Sequence, residues 1–221
     1  FQVLDADIAD VIDTYSATAL QAFSETNSAT SNIKILPLTA QGVGFYYNKD
    51  NFRKAGLDPE KAPADWDSFL AACTKLKSAG IAPIILGNQG SPFGIDFIYR
   101  VILGTLLSEN EIDGFADGRT KFTNPAFVQA TEMIKELYDR GFVNVDNGSL
   151  PYFVDAIETF KGWNGGFFIG LTSDIAHWKD FGDALGYENI GYFSSVVPQN
   201  AKYPQQQVNQ GAGVGFAVTN Y

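Results

Sequence analysis

The clearest pattern in the chain is a stretch in which apolar residues recur every three or four positions. These positions fall on one helical face; they are Trp66, Phe69, Leu70, Cys73 and Leu76. Asp65 precedes them as a candidate N-cap and Gly80 follows as a stop signal, which predicts a helix between the two. The apolar run at 81–86 predicts a buried strand, followed by a loop at 87–90.

Two further helix starts combine an N-cap residue with a proline. Ser91-Pro92 predicts a helix to about Leu107, and Asn124-Pro125 predicts one that ends at Gly141. Weaker patterns predict helices at 6–23, 150–160 and 173–181, strands at 33–38, 42–47, 166–169, 190–197 and 214–218, and a short connection at 48–59. Because helices alternate with short apolar strands, we expect an α/β domain with a mainly parallel sheet.

Composition narrows the classes of function. The chain has 221 residues, 45% of them hydrophobic, which is enough to bury a sizeable core, and a net charge of −10. That negative charge argues against nucleic acid and anionic lipid surfaces as partners. Cys73 is the only cysteine and His177 the only histidine. Therefore we expect no intrachain disulfide, no cofactor and no metal site, and any histidine-based catalysis would depend on His177 alone.

The most specific pattern lies at 46–80, YYNKDNFRKAGLDPEKAPADWDSFLAACTKLKSAG. This stretch closely resembles the signature of the family 1 extracytoplasmic sugar-binding proteins of bacterial ABC importers. The matching positions, in order, are Tyr47-Asn48-Lys49, Phe52, Ala55-Gly56-Leu57, Pro63 and Trp66-Asp67-Ser68-Phe69. FKGWNGGFFIG at 160–170 and GAGVGFAVTN at 211–220 resemble two later blocks, although residues 165–168 depart from the small-residue-then-Met pattern of the family.

The resemblance implies a periplasmic-binding-protein-like two-lobed α/β fold, present mostly as the second lobe with part of the first. The expected divisions are a remnant of lobe one at 1–42, a hinge-crossing strand at 43–49, lobe two at 50–205 and a return hinge strand at 206–221. The chain opens on Phe1 and ends in a strand-like run, so we expect an internal fragment whose targeting segment is absent.

The resemblance also implies a function, which is binding of a carbohydrate outside the membrane, preferably a neutral oligosaccharide. The protein would be a periplasmic protein or a cell-surface lipoprotein, acting as a monomer that delivers its sugar to ABC permease subunits. It would be a binder and not an enzyme. Aromatic residues make up 14% of the chain and supply flat apolar faces for sugars, while amide and carboxylate groups bond hydroxyls.

Eleven residues are candidate ligand contacts, and most have a structural alternative. We expect them near strand-to-helix junctions, where open α/β sheets bind ligands; they are Gln41, Asn88, Gln89, Phe93, Asp96, Trp163, Thr172, Ser173, Asp174, Gly211 and Gly213. The backbone N–H groups at the start of the helix after Ser91-Pro92 are also expected to be available to a sugar oxygen.

The structural alternatives follow from local chemistry. Gln41 suits a solvated turn, Phe93 and Trp163 suit the core, and Asp96 suits the positive end of a helix dipole. Ser173 or Asp174 suits a helix cap, and the two glycines suit hinge freedom. Thr172 occupies the place where the family often carries a stacking Trp, so the pocket is expected to be smaller there.

Three other functions stay open at this stage. A glycoside hydrolase needs two carboxylates placed across the scissile bond, and no recognisable motif supplies them. The same fold binding a glycerol phosphate would need Lys or Arg in the cleft loops, and the loops at 87–94 and 170–174 contain neither. A polyamine would need several carboxylates there, and Asp96 and Asp174 are the only candidates. The third is an interaction domain that has lost its ligand through truncation.

Overall fold

The computed structural model describes residues 1–21, 23–24, 28–172, 178–204 and 209–219. The chain divides into two compact units, one formed by residues 1–42 and 209–221 and the other by residues 43–208. The described helices are α1 Ala17–Gln21, α2 Lys49–Lys54, α3 Trp66–Ser78, α4 Phe93–Leu106, α5 Glu109–Asp117, α6 Pro125–Asp139, α7 Ile157–Thr159 and α8 Trp178–Leu185. The described strands are β1 Ile35–Asn48, β2 Ala82–Ile85, β3 Gly165–Leu171, β4 Ile190–Phe193 and β5 Asn209–Ala217.

Short turns complete the described elements. The 3₁₀ turns lie at Ile12–Thr14 and Tyr187–Asn189, and π-helical turns at Tyr152–Ala156 and Phe160–Asn164 flank α7. The helical segment expected at 150–160 is therefore present, although most of it has π geometry. No described helix combines the length and the apolar character that crossing a bilayer would require.

The smaller unit is organised around an antiparallel pairing of β1 with β5. Ile35 lies opposite Ala217 and Gly42 opposite Asn209, with register shifts between them. The carboxylate of Asp5 accepts hydrogen bonds of 2.8 Å from the backbone N–H groups of Asn32 and Ile33. A small core fills this unit, made by Leu4, Ile8, Leu20 and Ile33.

The larger unit contains a sheet in the order β2-β3-β1-β4. Strand β2 is parallel to β3, and β1 is antiparallel to both β3 and β4. The expectation of a mainly parallel sheet is therefore wrong for the described strands, since three of their four named pairings are antiparallel. The alternation of helices and strands along the chain predicts that β2, β3 and β4 are parallel to one another. It does not predict the direction of β1, which lies between β3 and β4.

The alternating side chains of β1 pack on different faces of this sheet. On one face Phe45 contacts Phe69 of α3 at 5.5 Å between ring centroids and stacks on Phe193 at 4.9 Å. On the other face Tyr46 contacts Phe181 of α8 at 5.7 Å. Aromatic rings supply large buried areas and prefer such tilted or offset contacts, so they hold helices on both faces of the sheet.

The predicted helix at 66–78 is confirmed together with its boundaries. Asp65 is the N-cap and accepts a 2.7 Å hydrogen bond from the Ser68 backbone, while Ser68 Oγ accepts from the Asp65 backbone at 3.1 Å. Gly80 follows the helix with a φ of +77°, a conformation that favours glycine. The helices predicted after Ser91-Pro92 and Asn124-Pro125 are α4 and α6.

Several other element predictions need correction. The two strands expected at 33–38 and 42–47 are one continuous strand, β1. The connection expected at 48–59 contains helix α2, because the side chain of Asn48 accepts hydrogen bonds from the backbone of Asp50 and Asn51 and so starts a helix. The pattern at 6–23 forms only a 3₁₀ turn and α1 among the described residues, and α5 was not expected.

Candidate ligand-binding edge

Strand directions place several loops at one edge of the larger sheet. Strands β2, β3 and β4 run in the same direction, and β1 runs against them, with Val43 opposite Leu171 at the end of β3. The carboxyl ends of β2, β3 and β4 therefore lie at one edge of the sheet. Val43, the first residue of β1 that pairs with β3, lies at the same edge. We call this the binding edge, because open α/β sheets bind ligands beyond the carboxyl ends of their strands.

The loop after β2 is fixed by the segment that follows α6. Val143 forms a parallel bridge with Ile84, which brings the next residues to the same edge. The side chain of Asn144 accepts from the Leu86 backbone at 2.8 Å and donates to the Leu86 carbonyl at 3.1 Å. An amide thus continues the ladder at the end of β2. Gly87 follows, and a Cβ there would lie 2.8 Å from the Cα of Tyr152, so only glycine allows this approach.

Asn88 has a structural role at the start of α4. Its Oδ1 accepts a 3.2 Å hydrogen bond from the Ile95 backbone, and its Nδ2 donates to Asn147 Oδ1 at 3.0 Å. Pro92 occupies the N-cap position and makes no side-chain cap bond, so Ser91 is not the cap that its sequence predicts. The side chain of Asn88 caps the helix from the preceding loop instead.

The backbone of the first turn of α4 is also occupied. Each of its first four N–H groups donates to a protein oxygen, at Ser91, Gly87, Asn88 and Pro92 in turn. The expectation that these N–H groups are available to a sugar is therefore wrong. The neighbouring Gln89 has an exposed side chain, and its backbone N–H donates to the Leu150 carbonyl at 3.0 Å.

Phe93 belongs to an aromatic group that reaches the surface. Its ring is half-buried and lies 5.2 Å from Phe153 in an edge-to-face contact and 6.1 Å from Tyr152. Phe153 is 52% exposed, whereas Tyr152 is 2% exposed and donates its hydroxyl to the Ile169 carbonyl at 3.2 Å. Tyr152 also stacks on Phe168 of β3 at 5.5 Å. The buried tyrosine therefore anchors two accessible rings to the sheet.

The electrostatic environment of these loops contains few charges. Asp96, one turn into α4, forms a 2.7 Å ion pair with Arg100 on a half-exposed helix face. The segments 87–94 and 144–153 contain no Lys or Arg, and Asp146 is their only acidic residue. Its Oδ1 accepts from Asn144 Nδ2 at 2.8 Å. This part of the edge offers rings and amides, with no cation to match an anionic ligand.

The other candidate residues lie in different parts of the chain, and some are outside the described residues. Thr172 follows β3 at the binding edge and is partly exposed. Gln41 and Gly211 are opposite each other in the pairing of β1 with β5, and Gly213 also lies in β5, in the smaller unit. Ser173 and Asp174 lie outside the described residues, as does the side chain of Trp163. Asn88, Gln89, Phe93 and Thr172 are thus the candidates with a described environment at this edge.

Sequence reasoning missed two accessible aromatic residues at this edge, Phe153 and Tyr192. Phe153 follows the buried Tyr152 in a Leu-Pro-Tyr-Phe run, and adjacent aromatic residues at a helix start were the available signal. Tyr192 lies on β4 opposite Tyr46, and its ring extends over Gly44. Partial burial raises the pKa of the Tyr192 phenol, so it stays a neutral hydrogen-bond donor at neutral pH.

Comparisons with known proteins agree with this architecture. The family model for bacterial extracellular solute-binding proteins matches residues 1–220. A chitin oligosaccharide binding protein of known structure is 25% identical, with a TM-score of 0.72 over 87% of this chain and 47% of that one. A structure from work on xylan utilization by Caldanaerobius polysaccharolyticus is 19% identical, with a TM-score of 0.80 over 98% of this chain and 52% of that one.

A curated relative adds a third comparison. The sn-glycerol-3-phosphate-binding periplasmic protein UgpB of Yersinia pestis is 26% identical over 182 residues, which is 80% of this chain and 40% of that protein. The chain thus spans about two-fifths of the length of this curated relative.

The fold and the family match define a solute-binding protein with the periplasmic-binding-protein-like fold, and the expected fold class is confirmed. The chain belongs to the family of bacterial extracellular solute-binding proteins.

Proposed function

We propose that the protein binds a neutral carbohydrate outside the membrane. The observation that carries this proposal is the accessible pair Phe93 and Phe153, held on buried Tyr152 beside amide-rich loops without basic residues. Sugar rings present C–H faces that pack on aromatic rings and hydroxyls that bond to amides. Two structures of similar fold, a chitin oligosaccharide binding protein and one from work on xylan utilization, also favour a carbohydrate as the ligand.

Within this proposal each candidate residue has a role. Phe93 and Phe153 pack against a sugar face, while the exposed side chain of Gln89 and the hydroxyl of Thr172 bond sugar oxygens. Asn88 supports the loop, because both ends of its amide are engaged by the protein. The remaining candidates stay predictions from the sequence; they are Gln41, Asp96, Trp163, Ser173, Asp174, Gly211 and Gly213.

We infer the wider role by analogy with the family. The full-length protein delivers its sugar as a monomer to the permease subunits of an ABC importer, from the periplasm or as a cell-surface lipoprotein. It acts as a binder and carries out no reaction on the sugar. We infer that the unit formed by residues 1–42 and 209–221 is the remnant of lobe one with its return strand, and that the unit formed by residues 43–208 is lobe two.

A glycerol phosphate is the second candidate ligand, because the curated relative UgpB is named for sn-glycerol 3-phosphate. A phosphate group needs Arg, Lys or free backbone N–H groups around it. The loops at 87–94 and 144–153 lack basic residues, and the first turn of α4 has its N–H groups engaged. These two features favour a neutral sugar over the phosphate ester.

Thermal melting of the full-length protein tests the function directly. The panel contains N-acetylglucosamine and chitin oligosaccharides, xylose and xylo-oligosaccharides, glucose, laminaribiose and maltose, and sn-glycerol 3-phosphate. A ligand that binds only the folded state stabilises it by about 2.7 kcal/mol at a hundred times its Kd. We expect a rise in melting temperature with one sugar class. A response to glycerol phosphate alone would overturn the proposal of a neutral sugar.

Replacing Phe93 with alanine is expected to weaken sugar binding by about 1–3 kcal/mol, as truncation of a buried aromatic contact usually does. Calorimetric titration with the sugar that gives the largest thermal shift measures this change. Phe122→Ala is the matched control, because Phe122 is an exposed phenylalanine in ring contact with Phe115 and Phe127, outside the binding edge. Equal affinities of Phe93→Ala and the unmodified protein would remove Phe93 from the site.

A further inference from the structure

Two tyrosines on neighbouring strands lie over glycines of the opposite strand. A Cβ added to Gly191 of β4 would lie 2.0 Å from the ring of Tyr47, and one added to Gly44 of β1 would lie 2.2 Å from the hydroxyl oxygen of Tyr192. Glycine is therefore required at both positions for the ring to lie flat on the strand. In both cases a tyrosine ring of one strand packs on a glycine of the neighbouring strand, across the pairing of β1 with β4.

The two tyrosines differ in what surrounds them. Tyr47 is buried and donates its hydroxyl to the Pro59 carbonyl at 3.0 Å. Tyr192 is 41% exposed, and its hydroxyl makes no hydrogen bond with any part of the chain that the structure describes. Packing explains Tyr47 completely. For Tyr192 it explains the flat position, and the exposed phenol is accessible to solvent or to a ligand.

The position of Tyr192 relates it to the binding edge. Its ring extends along β1 from Tyr46 to Gly44, next to Val43, where β1 meets the carboxyl end of β3. Its uncovered ring surface and its hydroxyl therefore lie at the same edge as the loop after β2. The Tyr46 ring, 5.2 Å away at 59°, supports it from the interior.

The separation between Tyr192 and the pair Phe93–Phe153 bears on ligand size. Strand β3 lies between β2 and β1, so β1 is about two strand spacings, ~10 Å, from β2. The ring contacts between Phe93 and Tyr192 pass through three intervening rings, those of Tyr152, Phe168 and Tyr46. One unit adds to an oligosaccharide a length close to one strand spacing, ~5 Å, so we expect two or more units to be needed to contact both.

We propose that Tyr192 forms a second sugar subsite at the binding edge, and that the ligand is an oligosaccharide of at least two units. This inference rests on the proposed function. The ring of Tyr192 packs against the C–H face of one unit and its phenol donates to a hydroxyl of that unit. Phe93 and Phe153 contact another unit. Gly44 is the residue that permits this position of the ring.

Affinities for sugars of increasing length test the proposal in the full-length protein. Calorimetric titrations use one-, two- and three-unit members of four series, namely chitin oligosaccharides, xylo-oligosaccharides, β-1,3-glucans and α-1,4-glucans. Tyr192→Ala and Tyr192→Leu are expected to lose about tenfold or more in affinity for the longest sugar bound, as expected when an aromatic anchor is truncated. Tyr192→Phe keeps the flat face and is expected to lose less than the alanine variant.

Tyr187→Ala is the matched control. Tyr187 is also half-exposed and also covers a glycine, Gly182, but it precedes β4, at the edge away from the binding loops, and its hydroxyl donates to Asp183 at 3.2 Å. Tyr192→Leu keeps an apolar group over Gly44, so it tests binding even if the alanine variant does not fold. Melting temperatures of all variants separate loss of stability from loss of affinity.

The outcomes distinguish this inference from the proposed function. Loss of affinity in Tyr192→Leu with unchanged affinity in Tyr187→Ala supports the second subsite. If Tyr192→Leu binds the longer sugars like the unmodified protein, or if only single sugars bind, the second subsite is wrong while sugar binding stands. If the unmodified protein binds no member of the four series, the proposed function fails and this inference fails with it.

Discussion

Tyr152→Ala is expected to lower the free energy of unfolding by about 3–5 kcal/mol, the usual cost of truncating a large buried aromatic side chain. Among the residues that the structure describes, Tyr152 contacts the rings of Phe93, Phe97, Phe153 and Phe168, and its hydroxyl donates to the Ile169 carbonyl. Its loss leaves a cavity beneath both accessible rings of the binding edge. We therefore expect weaker sugar binding in the same variant, because Phe93 and Phe153 lose their support. Urea-induced unfolding and calorimetric titration measure the two effects.

Tyr152→Phe is the matched control for that experiment. It keeps the ring and removes the hydroxyl that donates to the Ile169 carbonyl, so it is expected to cost about 0.5–1.5 kcal/mol. Binding should then remain close to that of the unmodified protein. A stability loss in Tyr152→Ala no larger than that in Tyr152→Phe would contradict the role of the ring as an anchor.

The second large effect is expected at Phe69, on the opposite face of the sheet. Phe69 is buried and contacts Phe45 of β1, Trp66 of the same helix and Phe167 of β3. Phe69→Ala should therefore lower the free energy of unfolding by about 3–5 kcal/mol. Lys75→Ala, an exposed position on the same helix, controls for the change in helix propensity and should be nearly neutral. A cost below that of the Lys75 variant would show that α3 does not depend on this contact.

Local chemistry explains which helices could be predicted from the sequence. The start of α3 was predictable because Asp65 and Ser68 form a capping box within four residues. Helix α5 carries an equally local signal, since Ser108 and Glu111 form a reciprocal capping box, and the prediction overlooked it. The end of α4 at Leu106 agrees with the expected end near Leu107. Its start was displaced because the cap comes from Asn88, seven residues before Ile95.

Sheet topology and the binding edge depended on contacts between distant residues. The direction of β1 against β3 and β4 is set by pairings such as Phe45 with Ile169 and with Phe193, which no local pattern encodes. Phe93 was predictable as an aromatic residue at a helix start. Tyr192 was not, because its exposure and the open hydroxyl depend on Gly44, a residue almost 150 positions earlier in the chain.

The continuity of β1 has a consequence for the order of folding. Residues 43–208 are one uninterrupted segment, whereas the smaller unit joins residues 1–42 to residues 209–221. The pairing of Ile35 with Ala217 therefore closes a loop that contains the whole larger unit. Contacts of such high sequence separation are slow to form, and domains generally fold as their segments emerge during synthesis. We therefore expect the larger unit to fold first, leaving the first half of β1 as an unpaired strand edge until β5 has been synthesised.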